Sequence, residues 1–187
     1  MTTLQMIGYI IGGLATFAGI LMLTKPQAVL SKTDAFPRSK YPAWILTTIN
    51  MIWAAWLCNQ MYLGWFDPYK WIFYVAGGFG IVAIIRFLNE LLAPRMLGAF
   101  LLLVASPCLR TARFFPTPMD PSPWRLVISV ICYIWIIYGI YLLCCPWGFR
   151  RMNERWTKFD PNLKLGGFMK LAFGVALIAI SALFYGN

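Results

Sequence analysis

The sequence predicts an all-α membrane protein, with six transmembrane helices forming two inverted three-helix repeats. Three observations lead there. Charge is depleted along the whole chain, several long stretches carry none, and a set of short phrases occurs twice in the same order.

The depletion is a statement about solvent. Of 187 residues, 60% are hydrophobic and 12% charged, with a mean hydropathy of +0.69. Soluble domains carry about 25% charged residues. The deficit is global, which fits a polytopic membrane protein better than a soluble domain with one anchor. Met1 to Thr24, Tyr41 to Phe66, Leu126 to Phe149 and Leu171 to Asn187 contain no Asp, Glu, Lys or Arg. A helix needs about 20 apolar residues to cross a hydrocarbon core roughly 30 Å thick.

The duplication is read from `FDPYK` at Phe66 and `FDPNLK` at Phe159. Upstream, `IWAAWLCNQMYLGW` (Ile52 to Trp65) matches `IWIIYGIYLLCCPW` (Ile134 to Trp147), and `FPRSKYPAW` (Phe36) matches `FPTPMDPSPW` (Phe115). A `GGF` follows each, at Gly77 and Gly166. Four matches in order, at offsets of roughly 80 to 90 residues, argue for an internal repeat. The expected units are 1–92 and 93–187, together making one membrane domain.

Within the first unit, spans are expected at Leu4 to Leu23, Pro42 to Trp65 and Pro68 to Leu92. Those of the second fall at Pro94 to Arg113, Pro123 to Trp147 and Pro161 to Tyr185. Asp67 and Asp160 each precede a proline and an apolar run. Asp can satisfy orphan N–H groups at a helix start, and Pro at the first helical position lacks an N–H that would go unpaired. Both aspartates are therefore read as helix caps. Three spans per unit is an odd number, so the two copies must face opposite leaflets. The segment from Met96 to Leu109 is short, and it spans only if Arg95, Arg110 and Arg113 reach toward headgroups.

Basic residues fix the expected orientation. Lys25, Lys32, Arg38 and Lys40 follow the first span, and Arg150, Arg151, Arg155, Lys158 and Lys164 follow the fifth. Six spans put both groups on the cytoplasmic side and both chain ends on the other. `GFRRMNERWTKF` places Phe149, Met152, Trp156 and Phe159 at helical spacing among basic residues. It reads either as an interfacial amphipathic helix or as a loop obeying the charge rule. Arg150, Arg151, Arg155 and Lys158 are the expected contacts to anionic lipid headgroups. The net charge of +10 is thereby assigned to lipid and not to nucleic acid.

Chemistry has little to work with. There is no histidine, and the five cysteines lie in or beside apolar segments without C-x-x-C spacing. That removes the commonest acid–base catalyst and metal ligand. No nucleophile elbow, acidic metal pair or phosphate loop is present, so neither enzyme activity, a cofactor nor a metal is expected. The N-terminal run lacks a basic region and a cleavage site, and is expected to stay in place as a span.

One intramembrane polar cluster stands out: Arg86, Asn89 and Glu90 share a helix face. Charges within a membrane usually face protein or water, so the three mark either a functional site or a structural pair. Asn50, Asn59 and Gln60 either line a path or hydrogen-bond between helices. Gly8, Gly12, Ala15 and Gly19 form small-x-x-x-small pairs, for packing within the chain or between copies. The functional expectation is a non-catalytic accessory or scaffold subunit that contacts lipids and other membrane subunits or itself. The alternative is a small-solute or ion carrier with a pathway between the inverted repeats.

Overall fold

Apart from the side chains at 38, 154–157 and 160–162, the computed structural model describes residues 2–87, 92–113, 123–157 and 160–185. All regular structure among them is helical. The α-helices are α1 (Thr3–Thr24), α2 (Pro26–Ala35), α3 (Lys40–Gln60), α4 (Trp71–Phe87), α5 (Leu92–Arg113), α6 (Arg125–Cys144), α7 (Pro146–Thr157) and α8 (Asp160–Phe184). Short 3-10 helices occupy Phe36–Arg38 and Gly64–Tyr69.

Four of these helices, α1, α5, α6 and α8, are long and apolar enough to cross a membrane. At 1.5 Å per residue α5 extends about 33 Å, so the segment that looked short in the sequence attains bilayer length. It does so by taking in Leu92 to Arg95 at one end and Arg110 to Arg113 at the other. α4 is apolar but has 17 residues. α3 has 21, with Thr47, Thr48, Asn50, Asn59 and Gln60 diluting its hydropathy.

Two connectors hold helices, one where the sequence reading placed a loop and one where it left helix and loop open. α2 begins at Pro26 directly after the C-cap Lys25, whose N–H donates to the Leu21 carbonyl. α7 begins at Pro146, the first-position proline that a helix start tolerates. The amphipathic alternative for 149–159 is thus realised as helix through Thr157; Lys158 and Phe159 lie outside the described residues.

The chain forms two compact units. The first comprises residues 1–34, 104–136 and 150–187, and the second 35–103 and 137–149. Each draws on both halves of the sequence. In α5 the boundary falls between Leu103 and Val104, and Leu103 is the residue whose carbonyl loses its i+4 donor to Pro107.

In the first unit α1 and α8 pack antiparallel through glycine. A Cβ on Gly174 would come within 2.7 Å of the Gly12 carbonyl oxygen and 2.6 Å of the Thr16 nitrogen. One on Gly19 would lie 2.9 Å from the Gly167 oxygen, and one on Gly8 would strike Ser181. Large apolar chains take the outer face of α1 instead: Met6, Ile10, Leu14, Phe17 and Leu21 are all exposed. This reverses the logic of a soluble helix. Where the solvent is hydrocarbon, close backbone approach drives association and greasy side chains face out.

The core of this unit joins Leu4, Ala105, Cys108, Ala112, Ile128, Cys132, Leu177 and Tyr185. Thr2 closes one end: its hydroxyl accepts from Gln5 N–H at 3.2 Å and donates to the Tyr185 carbonyl at 2.6 Å. The Tyr185 hydroxyl donates to the Trp124 carbonyl at 2.7 Å, and Trp124 stacks on Phe184 at 4.2 Å.

The second unit packs α3 on α4, and the first part of α5 on the last part of α6. Gly98 and Gly139 meet there, each with the other's carbonyl oxygen within 2.8 Å of where its Cβ would stand. Ala43, Leu92 and Ala93 form a small buried cluster with Phe36, Ile84 and Met96 against it.

Candidate functional site

Two asparagines of α3 join helices. Asn50, 4% exposed, donates from Nδ2 to the Met96 carbonyl at 2.7 Å, tying α3 to α5. Asn59 donates to the Tyr74 hydroxyl at 3.0 Å, tying α3 to α4. Of the two readings open for these residues, hydrogen bonding between helices is the one realised, while Gln60 is exposed. Thr16, Thr47 and Ser181 bond back to carbonyls four residues earlier in their own helices. Two buried polar atoms have no hydrogen-bond partner among the described residues: Asn50 Oδ1 and Arg95 Nε.

Arg86 lies on the last turn of α4 and is exposed. With Phe79, Val82, Ala83 and Phe87 it lines a groove of about 410 Å³, within the roughly 300–1,000 Å³ typical of small-molecule sites. Asn89 and Glu90, its expected companions, lie outside the described residues. Their juxtaposition with Arg86 therefore remains a reading of helical spacing.

Asp67 does different work from the cap assigned to it. It lies inside the 3-10 helix, and α4 begins at Trp71. Its Oδ1 accepts from the Leu63 N–H at 3.1 Å and meets Lys70 Nζ at 2.7 Å. The carboxylate closes the turn before the helix, where Gly64 turns the chain at φ +59°. The Lys70 ammonium, then the Leu63 N–H, hold its pKa below the ordinary carboxylate value. Asp160 opens α8, with its side chain outside the described ones.

The basic connectors come together. Asn153 on α7 donates to the Asp34 carboxylate on α2, and Phe36 packs on Phe149 at 6.0 Å between ring centroids. Arg150 and Arg151 are exposed on α7. The side chain of Arg155 is outside the description, as is Lys158 altogether. The sequence left α7 open between helix and loop, and gave no sign of its anchor on α2. Only the pairing of Asp34 with Asn153 reveals that.

It also missed the α8 side of the glycine seam. The signal was present as Gly167, Gly174 and Ser181, small residues at a seven-residue spacing. Cys108 and Cys132 are both buried free thiols in the core of the first unit. Among the described residues no three His, Cys, Asp or Glu side chains group as metal ligands would. No family model, curated protein or solved structure matches the chain.

Proposed function

We propose that the chain is a multi-pass integral membrane protein acting as a non-catalytic accessory or scaffold subunit. One observation carries this reading. α1 and α3 turn large apolar side chains outward, while Asn50 and Asn59 of α3 are committed to bonds between helices. Such a molecule offers greasy faces to lipids and to other membrane subunits, and little polar lining along which a solute could move.

In this reading α3 and α4 cross as well, giving six spans in two inverted repeats. α3 extends about 32 Å and the described part of α4 about 26 Å, close to the thickness required. The contact of Thr2 with Tyr185 supports an even number of crossings between them. The meeting of α2 with α7 supports one face carrying Lys25, Lys32, Arg150 and Arg151, which the charge rule assigns to the cytoplasm. Arg150, Arg151, Arg155 and Lys158 would there contact anionic headgroups.

The test is purification from its native membrane in a mild detergent after brief amine cross-linking. A defined companion subunit at reproducible stoichiometry is expected; a lone monomer overturns the scaffold reading. The second reading, a carrier, is favoured by the repeated phrases, since many carriers are built from inverted repeats. Reconstituted vesicles should then show solute or proton flux that Arg86→Gln and Glu90→Gln each reduce, and absence of flux in the parent protein removes that reading.

A further inference from the structure

We infer that the connector between α3 and α4, with the first turn of α4, is a membrane-interface anchor. Its aromatic side chains lie at the headgroup–acyl boundary, on lipid of no particular charge. Between Gln60 and Val75 six aromatic residues are exposed: Tyr62, Trp65, Phe66, Tyr69, Trp71 and Tyr74. Tyr62 and Trp65 reach 88% and 85%. Trp65 meets Phe66 edge to face at 6.0 Å between ring centroids, and Phe66 meets Tyr69 at 6.2 Å. A chain folded in water seldom leaves an apolar patch of this kind uncovered. Tyr and Trp join a large apolar ring to one polar tip, which suits a layer that is greasy on one side and wet on the other. The patch also continues the outward-facing apolar residues of the two helices, Ile52 and Trp56 on α3 and Val75 and Phe79 on α4. Lipid that clothes those helices reaches the connector without a break.

The polar groups of the connector favour a boundary layer over a protein partner. The Asp67 carboxylate accepts from the Leu63 N–H at 3.1 Å and meets the Lys70 ammonium at 2.7 Å. The Phe66 N–H donates to the Leu63 carbonyl, the Lys70 N–H to the Asp67 carbonyl and the Phe73 N–H to the Lys70 carbonyl. Unpaired backbone is costly where water is scarce, and these four amides are satisfied inside the connector itself. Asp67 and Lys70 are the only charged residues between Gln60 and Val75, so the segment is neutral. A neutral turn that satisfies its own amides presents no net charge for a partner to match. Aromatic rings settling into a boundary need none. In this it differs from the basic α7, whose lipid contacts depend on charge. The anchor rests on the membrane reading of the chain but not on the number of crossings, because either face of a bilayer has such a boundary.

Nitroxide labels on single cysteines, Tyr62→Cys or Trp65→Cys, test the inference once the five native cysteines are replaced. Full-length protein is reconstituted into phosphatidylcholine vesicles, and spin relaxation by oxygen and by a water-soluble nickel chelate gives the depth of each label. Both labels should lie roughly 5–10 Å into the headgroup–acyl boundary, and added phosphatidylglycerol should not move them. Trp65→Gln with Phe66→Gln, a change at two exposed side chains, should return the label at position 62 to full collision with nickel. A label at Leu14, on the exposed face of α1, should meet oxygen and not nickel in every one of these proteins. Labels at 62 and 65 in open water overturn the anchor. Shielding from both reagents overturns it too, since a second copy or another protein would then cover the patch. So does a depth that follows the phosphatidylglycerol content, because head charge would then be what binds. A label at 62 that keeps its depth in the double variant also sinks it. If nickel reaches Leu14 as well, the membrane reading itself has failed and the anchor falls with it; Leu14 in hydrocarbon with 62 and 65 in water removes the anchor alone.

Discussion

Asp67 shows how far a two-residue motif carries. Asp-Pro before an apolar run correctly marks the approach to a helix, but the carboxylate reaches back to Leu63 N–H and sideways to Lys70. What the motif could not reveal was Gly64 in the left-handed region, which turns the chain early and leaves room for a 3-10 segment before α4. The consequence is a pH dependence with a definite sign. Lys70 and the Leu63 N–H stabilise the anion, so the pKa in the folded protein lies below its ordinary value of 3.8. The contribution is therefore complete above that value and disappears as the pH falls through the lower, folded one. Carboxyl-carbon NMR of the detergent-solubilised protein should find Asp67 titrating below a free aspartate. Lys70→Gln should move it back up, and an unchanged titration in that variant would show that the ion pair contributes nothing.

Among the elements, the seam of α1 and α8 makes the sharpest stability prediction. Gly174 is in backbone contact with Gly12 and Thr16, whereas nothing lies within 4 Å of where a Cβ on Gly13 would stand. Glycine to leucine is thus the same chemical change with opposite packing. Gly174→Leu must push two backbones apart and should lower stability by about 1–3 kcal/mol, the usual cost of overpacking. Gly13→Leu should be neutral, or slightly stabilising through helix propensity. Thermal unfolding followed by size-exclusion recovery separates them, and equal melting of the two variants would dismiss the seam. The sequence showed half of it, because Gly8, Gly12 and Gly19 stand out in an apolar run. The partner was hidden: a seven-residue spacing in α8 has meaning only once the two helices are known to be antiparallel neighbours. That α1, α6 and α8 are long and apolar enough to cross was legible for a simpler reason, since length and hydropathy are local properties. Asn50 was legible as a polar intruder but not as a bond to Met96, 46 residues away, which is a tertiary fact.

For the whole molecule, the proposed inverted six-span architecture makes claims about sides that can be tested one residue at a time. Thr2 and Tyr185 hydrogen-bond, and so do Asp34 and Asn153. Members of each pair should therefore share a side. α1 runs from near the first pair to near the second, and it is long enough to cross. The two pairs should then lie on opposite faces. α3 and α4 decide the rest: if both cross, Lys70 joins the face of Thr2, and if neither does, it joins the face of Asp34. With the five native cysteines replaced by serine or alanine, single cysteines at Thr2, Ser31, Lys70 and Arg151 in sealed vesicles answer each point. A charged, impermeant maleimide added outside should label positions 2 and 70 together and positions 31 and 151 together, never both sets before the vesicles are opened. Position 70 labelling with 31 and 151 would reduce the molecule to four spans. The duplicated phrases would then mark a repeat that did not preserve three crossings in each copy. Charge alone could not settle this, because Lys70 is the single cation between α3 and α4, so the positive-inside bias has little to act on at that loop.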